Sequence, residues 1–258
     1  MSDRVLVERQ GHVLTIGLNR PEKRNAADLA MLHALAEAYT VLHTDASLRV
    51  GVLHAVGEHF TAGLDLADVA PAITSGSAEL LPPGMIDPWG IVTEPVSKPV
   101  VVAVQGTCLT LGVELALAAD VVVAAACTRF AQLEVARGIM AFGGATVRLP
   151  RLGWGDAMRW LLTGDYFDAA AAYRIGLVQQ VVADGEQFDA AMALAERIAR
   201  QAPLAVQATL ANARLALTDP RGASGRLHPV VAMLAKTSDA RRAMESYLSG
   251  SPANFEGR

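Results

Sequence analysis

The chain has 258 residues, of which 52% are hydrophobic and 19% are charged, and its formal net charge is −4. This composition is too apolar for an intrinsically disordered chain, and the length suits one main domain with a possible appendage. Clustered Lys and Arg do not occur, so we expect no nucleic-acid partner.

The cysteines and the N-terminal residues indicate the cellular compartment that we expect for the protein. Cys108 and Cys127 stand in apolar surroundings without the CxxC spacing of a zinc site or the pattern of a disulfide framework. The N-terminal residues lack the basic-then-apolar order of a signal peptide, and the apolar stretch 99–113 is too short and too interrupted for a membrane span. We therefore expect a cytoplasmic protein that neither enters a membrane nor binds a metal.

The first part of the chain is predicted to be β-β-α-β. Alternating apolar residues on both sides of a Gln10-Gly11 turn, ending at Leu18, are typical of a hairpin. Leucines recur at helical spacing within 25–43, and the run 50–53 predicts a strand.

The middle of the chain alternates between strand and helix. The β-branched run 100–104 predicts a strand buried on both faces, 111–119 has the composition of a helix, and 121–123 predicts another buried strand. This alternation predicts a parallel sheet in an α/β fold.

The last third is predicted to be mostly helical, with a short strand at 178–182 docked between helices. The predicted helices are 157–162, 168–175, 186–201, 204–217 and 229–248. The proline-rich segment 71–95 predicts a variable, partly helical loop suited to substrate contacts.

Glu114 stands out because its neighbours at helical spacing, from Thr110 to Ala118, include no basic residue. A carboxylate in such surroundings pairs with a distant cation, shifts its pKa upward or faces a ligand cavity. Glu134 follows a strand-like segment and by itself resembles an ordinary surface charge. Two carboxylates facing one cavity would supply an acid and a base in one step.

Two turns could direct backbone amides into a cavity. The segment 59–66 follows a predicted strand and precedes a helix, and Thr110-Leu111-Gly112 opens the second helix in the same way. The alternative for the first is an ordinary turn with Asp65 as the helix N-cap.

Other signatures are weak. The six histidines follow no metal-ligand spacing, and the sequence contains no GxSxG motif. Gly153-x-Gly155 lacks the third glycine of a dinucleotide fingerprint.

Several segments, in order over nearly the whole chain, resemble motifs of the enoyl-CoA hydratase/isomerase (crotonase) superfamily. They are Leu18-Asn19-Arg20-Pro21 with Asn25-Ala26, Phe60-Thr61-Ala62-Gly63-Leu64-Asp65-Leu66, Leu109-Thr110-Leu111-Gly112-Val113-Glu114-Leu115-Ala116, Phe130-Ala131-Gln132-Leu133-Glu134 with Gly138-Ile139, Asp168-Ala169-Ala170, Gly176-Leu177-Val178 and Phe255-Glu256-Gly257-Arg258.

The resemblance implies an α/β fold, a crotonase-like spiral of β-β-α turns with a C-terminal helical trimerisation region. It implies a spiral core over 1–195 that holds the coenzyme A thioester site. Residues 196–258 are then expected to mediate oligomerisation, as a homotrimer or dimer of trimers, and to close the site.

The resemblance also implies a reaction. Glu114 and Glu134 would act as the acid/base pair of a hydratase, and the backbone N–H groups of Leu64 and Leu111 would form the oxyanion hole. The substrate would be an acyl-CoA, so coenzyme A belongs to the substrate and no separate cofactor is expected. Further contacts with substrate or coenzyme A are expected from Lys23, Arg24, Ala62, Gly63, Asp65, Leu66, Thr110 and Gly112.

Three positions depart from the family pattern. Leu64 stands where the family often has Ala, Thr110-Leu111 where it often has Gly-Gly, and Ala141-Phe142 where it often has Pro-Gly. Bulkier residues predict a reshaped pocket, so the substrate need not be a short unbranched enoyl chain.

Alternatives remain at this stage. Within the family they are an isomerase, a C–C bond-cleaving enzyme or a thioester hydrolase. Outside it they are an acyl-CoA-binding scaffold without activity and an oxidoreductase built on the Gly153 turn.

Overall fold

The structure is a computed structural model that describes residues 3–74 and 80–258. Its strands are β1 Val5–Gln10, β2 Val13–Leu18, β3 Val50–Ala55, β4 Val100–Val104, β5 Thr107–Leu109, β6 Val121–Ala125, β7 Arg129–Ala131, β8 Phe167–Asp168 and β9 Gln180–Val182. Its α-helices are α1 Leu29–Thr44, α2 Leu66–Thr74, α3 Leu111–Ala118, α4 Ala145–Arg148, α5 Trp154–Thr163, α6 Ala169–Arg174, α7 Gln187–Ala199, α8 Pro203–Ala216, α9 Pro220–Leu234 and α10 Ser238–Ser249.

The strands form two sheets. The larger has the order β1-β2-β3-β4-β6-β9, with β1 antiparallel to β2 and every other pair parallel. The smaller has the order β5-β7-β8. The predicted hairpin, the buried strand 100–104 and the parallel α/β arrangement are confirmed.

Helices cover both faces of the larger sheet. On one face, Ala191 and Ala195 of α7 pack with Val52, Val101 and Val123 of the central strands. On the other face, the apolar side of α1 joins the main core cluster. Because both faces are covered, β4 and β6 are apolar throughout, as buried parallel strands generally are.

The structure refines one predicted helix and corrects another. The helix predicted within 25–43 begins at Leu29, because the Asp28 side chain caps it by accepting the Met31 N–H. The predicted helix 229–248 is wrong: α9 and α10 are separate, and Thr237 caps the second by accepting the Ala240 N–H.

The strand predicted at 178–182 exists as β9, and it contacts α6 and α7, the helices before and after it in the chain. It pairs with β6 at the sheet edge, with Val123 opposite Gln180. The backbone N–H and C=O groups of β9 form ladder hydrogen bonds with those of β6. Apolar periodicity in the sequence does not show which strand supplies these partners.

The segment 71–95 is helical up to Thr74, where α2 ends. Residues 75–79 of it lie outside the described residues. Residue 195, the predicted end of the core domain, lies inside α7, whose Ala199 still packs in the core. The helices α8, α9 and α10 follow.

Candidate active site

A cavity of about 280 Å³ opens where α3 begins and β7 ends. Its walls are mainly apolar, which suits the carbon skeleton of a small molecule. Its lining includes Leu32, Leu66, Trp89 and Phe142, together with both candidate carboxylates, Glu114 and Glu134.

The Leu64 segment is held by backbone hydrogen bonds on either side of that residue. The Ala27 N–H donates to the Gly63 carbonyl at 2.8 Å, and the Asp65 N–H donates to the Ala27 carbonyl at 2.9 Å. Leu64 lines the cavity, and its own N–H has no acceptor among the described residues. This amide is therefore available to a ligand.

Arg20 fixes the same segment from the side. Its guanidinium donates to the Asp65 carboxylate at 2.7 Å and to the Ala26 carbonyl at 2.9 Å. The hydrogen bond from Arg20 holds the pKa of Asp65 below its ordinary value. The Asn25 side-chain Oδ1 in turn accepts the backbone N–H of Arg20 at 2.7 Å. These contacts account for the Arg20 and Asn25 positions of the opening motif.

The second turn leads into α3. Thr110 has φ +48°, unusual for a β-branched residue, and its N–H donates to the Ala131 carbonyl at 2.9 Å. Leu111 follows at the first helical position and lines the cavity. Its N–H has no acceptor among the described residues, as expected for the first turn of a helix.

Glycines let the two turns approach each other. A β-carbon on Gly63 would lie 2.0 Å from the Thr110 Oγ1, and one on Gly112 would lie 2.5 Å from the Thr61 Cγ2. The two segments interlock through this reciprocal packing. The free amides of Leu64 and Leu111 thus belong to adjacent segments on one cavity.

Glu114 is 4% exposed and projects from the first turn of α3. Its Oε1 accepts the Ala145 N–H at 3.1 Å. Burial raises the pKa of Glu114 to about 7, the charge of Glu134 adds to this, and the N–H groups of Ala145 and Gly143 oppose it. The group therefore exchanges a proton near neutral pH.

Glu134 is 6% exposed and begins a 3₁₀ turn that ends at Arg137. Burial raises the pKa of Glu134, while its own backbone N–H and the charge of Arg137 oppose the shift. With its amide nitrogen turned towards Glu134, the buried Gln132 donates to both carboxylate oxygens at 3.1 and 3.2 Å and to the Thr110 carbonyl at 3.3 Å. Gln132 thereby links the second carboxylate to the first residue of the α3 turn.

The loop after residue 86 closes one side of the cavity. The buried Asp87 carboxylate accepts the N–H groups of Trp89, Ile91 and Val92 at 2.9, 2.7 and 2.8 Å. Arg148 of α4 donates to the Trp89 carbonyl at 2.6 Å. The loop predicted to contact substrate therefore contributes to the cavity, held by its own buried carboxylate.

The remaining predicted contact residues lie in different places. Leu66 and Thr110 line the cavity. Gly63 and Gly112 serve the close packing described above, and Asp65 is held by Arg20. The others lie next to the first turn: Lys23 and Arg24 are exposed, and the Ala62 N–H donates to the Arg24 carbonyl at 2.9 Å.

Some residues of the site were not predicted. Gln132 had a signal only in its place beside Glu134 in the Phe130-Ala131-Gln132-Leu133-Glu134 motif, because β7 ends at Ala131 and strand alternation does not extend to Glu134. Gly143 also had a sequence signal, because it forms a glycine pair with Gly144. In the structure, a β-carbon on Gly143 would lie 2.5 Å from the Glu114 Oε2. The roles of Asp87 and Arg148 had no local signal.

Other candidate sites find little support. Gly153 follows a 3₁₀ helix that ends at Arg151, and a dinucleotide fingerprint needs a strand there. Within residues 3–74 and 80–258, no three His, Cys, Asp or Glu side chains cluster as metal ligands would. No helix in the same ranges is both long and apolar enough to cross a membrane.

The chain belongs to the enoyl-CoA hydratase/isomerase family, whose model matches residues 8–258. It is 54% identical to a probable enoyl-CoA hydratase/isomerase from Mycobacterium abscessus, with a TM-score of 0.95 over 99% of both chains. The crotonase-type fold predicted from the motifs is thereby confirmed.

Two relatives match along almost their whole length. The enoyl-CoA hydratase EchA19 of Mycobacterium tuberculosis is 32% identical over 98% of this chain and 96% of its own. The 2,3-dehydroadipyl-CoA hydratase of Escherichia coli is 33% identical over 98% of this chain and 99% of its own. Both are named as hydratases of acyl-CoA thioesters.

Proposed function

We propose that this protein is an enoyl-CoA hydratase that reversibly adds water to the 2,3 double bond of an acyl-CoA thioester. One observation carries the proposal. Two buried carboxylates, Glu114 and Glu134, border the same apolar cavity as the free amides of Leu64 and Leu111. The hydratase names of the relatives support it.

The amides would act on the thioester carbonyl. As water adds at C3, negative charge moves through the conjugated system to the thioester oxygen and forms an enolate. Two N–H donors aimed at that oxygen stabilise the charge, each by about 3 kcal/mol in the transition state. Backbone donors provide this regardless of the side chain, so Leu64 and Leu111 remain competent where the family often has smaller residues.

The carboxylates would manage the protons. One accepts a proton from the water as its oxygen bonds to C3, and the other gives a proton to C2 of the enolate. The two carboxyl groups together hold one proton before and after the step. Before it the proton is on the group that will protonate C2, and after it the proton is on the group that took it from water. A pKa of Glu114 near 7 suits this role, because the proton is then neither tightly held nor fully lost at neutral pH.

Coenzyme A would enter as part of the substrate, without a separate cofactor. The backbone of Arg24 lies beside Ala62, two residues before the Leu64 amide. The exposed side chains of Lys23 and Arg24 are therefore proposed to meet the coenzyme phosphates, as charged donors commonly do.

The C-terminal helices would form the oligomer. Large apolar side chains remain exposed there, among them Leu217, Val231, Tyr247 and Leu248. Burial between copies would remove this surface from water, so we propose a homotrimer or dimer of trimers with residues 196–258 at the interface. Sedimentation of the purified protein would test this, and a monomer would contradict it.

The test of function is a panel of 2-enoyl-CoA thioesters followed by loss of the absorbance of the conjugated thioester. Hydration should give a 3-hydroxyacyl-CoA, identified by mass. A product of unchanged mass would indicate an isomerase instead. Acyl-CoA binding without turnover of any thioester would favour the scaffold, and absence of both would contradict the proposal altogether.

A further inference from the structure

Arg137 is a cation at the cavity that has no partner among the described residues. It is the last residue of the 3₁₀ turn that begins at Glu134. The residue is exposed to solvent and also lines the cavity. It makes no ion pair or hydrogen bond through its side chain with the described residues. An arginine offers five donors in a planar fork, a geometry that matches a carboxylate.

The other charged groups around the cavity already have partners. Asp87 accepts three backbone N–H groups, and Glu114 accepts the Ala145 N–H. Arg148, close to Glu114, donates to the backbone carbonyls of Trp89 and Gly143. Among the described cavity-lining residues, Arg137 is therefore the one cation, and its donors are unused.

The position of Arg137 relates it to the acyl part of the substrate. The Leu64 amide, proposed to bind the thioester, is linked through Ala62 to the backbone of Arg24, so the coenzyme would leave on that side. Arg137 instead follows Glu134 by one turn, and its charge opposes the rise that burial causes in the pKa of that carboxyl group. It thus lies near the reacting carbons, on the side of the carboxylate pair.

Resting on the proposed function, we infer that Arg137 binds a carboxylate at the far end of the acyl chain. The preferred substrates would then be 2-enoyl-CoA thioesters of dicarboxylic acids. Two glutamates border the cavity, and a third carboxylate would be repelled there without a cation. A fork of paired hydrogen bonds from Arg137 would offset this repulsion and orient the chain.

The test compares two substrates of equal size, trans-2-hexenedioyl-CoA and its ω-amide, with the wild-type protein and Arg137→Gln. The wild type should hydrate the carboxylate with the higher kcat/KM. Arg137→Gln should lower kcat/KM for the carboxylate about tenfold more than for the amide. Only the charged group loses its partner, whereas an effect through Glu134 acts on both substrates alike. Arg197→Gln, an exposed arginine on α7, is the matched control and should change neither.

Other outcomes would separate the explanations. An equal loss for both substrates would place Arg137 on the coenzyme phosphates or on Glu134, and would overturn the inference. Equal turnover of both substrates by the wild type would also overturn it.

If the wild type hydrates other 2-enoyl-CoA thioesters of the panel but neither of these two, the inference is overturned. If it hydrates none of the panel, the proposed function fails, and the inference is tested by binding alone. Calorimetry with adipoyl-CoA and its ω-amide then decides: selective loss of adipoyl-CoA affinity in Arg137→Gln supports the carboxylate site, and equal affinities refute it.

Discussion

Gly63 and Thr110 lie so close that a β-carbon on Gly63 would fall 2.0 Å from the Thr110 Oγ1. This contact joins the two turns that carry the free amides of Leu64 and Leu111. Gly63 also has φ +98°, a conformation that side chains rarely adopt. The spacing of the two amides therefore depends on the absence of a side chain at this one position.

Gly63→Ala should lower kcat for hydration about a hundredfold, because displacing one oxyanion donor has that effect in comparable sites. Gly185→Ala is the matched control, since Gly185 has φ +92° and open space around it. It carries similar backbone strain without the contact. Equal activity losses in both variants would show that strain or instability, and not amide spacing, is responsible.

Glu114→Gln and Glu134→Gln should each lower kcat about a hundredfold to ten-thousandfold, because each removes one proton-transfer group. Binding of a saturated acyl-CoA should change little, since the substitutions preserve size. Steady-state kinetics and calorimetry on the same preparations measure both effects. Full activity in either variant would remove that residue from the mechanism.

The pH profile should report the shared proton. Activity requires one carboxyl group protonated and one ionised, and burial raises the pKa of Glu114 to about 7. As the pH rises above about 7 both groups ionise, so kcat/KM should fall on the alkaline side. In the residual activity of Glu114→Gln this limb should disappear. An alkaline limb unchanged by the substitution would assign it to another group.

The buried Glu114 should also destabilise the fold above its pKa. The folded protein holds a proton on Glu114 up to a pH of about 7, while the unfolded chain releases it near the ordinary value of 4.5. The folded state binds more protons in this window, so its contribution to stability falls as the pH rises from about 4.5 to about 7.

Glu114→Gln should therefore raise the free energy of unfolding by about 2–3 kcal/mol at pH 8 and by much less at pH 5. Urea unfolding at both pH values measures this difference. Glu186→Gln, at an exposed position before α7, is the control and should show no such pH dependence. A Glu114→Gln gain independent of pH would contradict the assigned pKa.

Much of the fold could be predicted from local sequence patterns. The hairpin of β1 and β2 follows from alternation around a Gln-Gly turn, and β4 from an apolar run bounded by Pro99 and Gln105. These signals are short-range, so no distant contact alters them. The boundary between α9 and α10 was missed because no Gly or Pro occurs within 230–249, and the break is marked by the Thr237 cap.

The candidate site divides in the same way. The sequence by itself showed that Glu114 lies in an apolar helix. It also showed that Glu114 and Glu134 occupy successive motifs of one family pattern. Only the tertiary structure decided that the amides of Leu64 and Leu111 have no acceptor among the described residues, that Gln132 donates to Glu134, and that Arg137 borders the same cavity. Hydrogen-bond satisfaction and shared cavities depend on segments far apart in the chain, and periodicity contains no information about them.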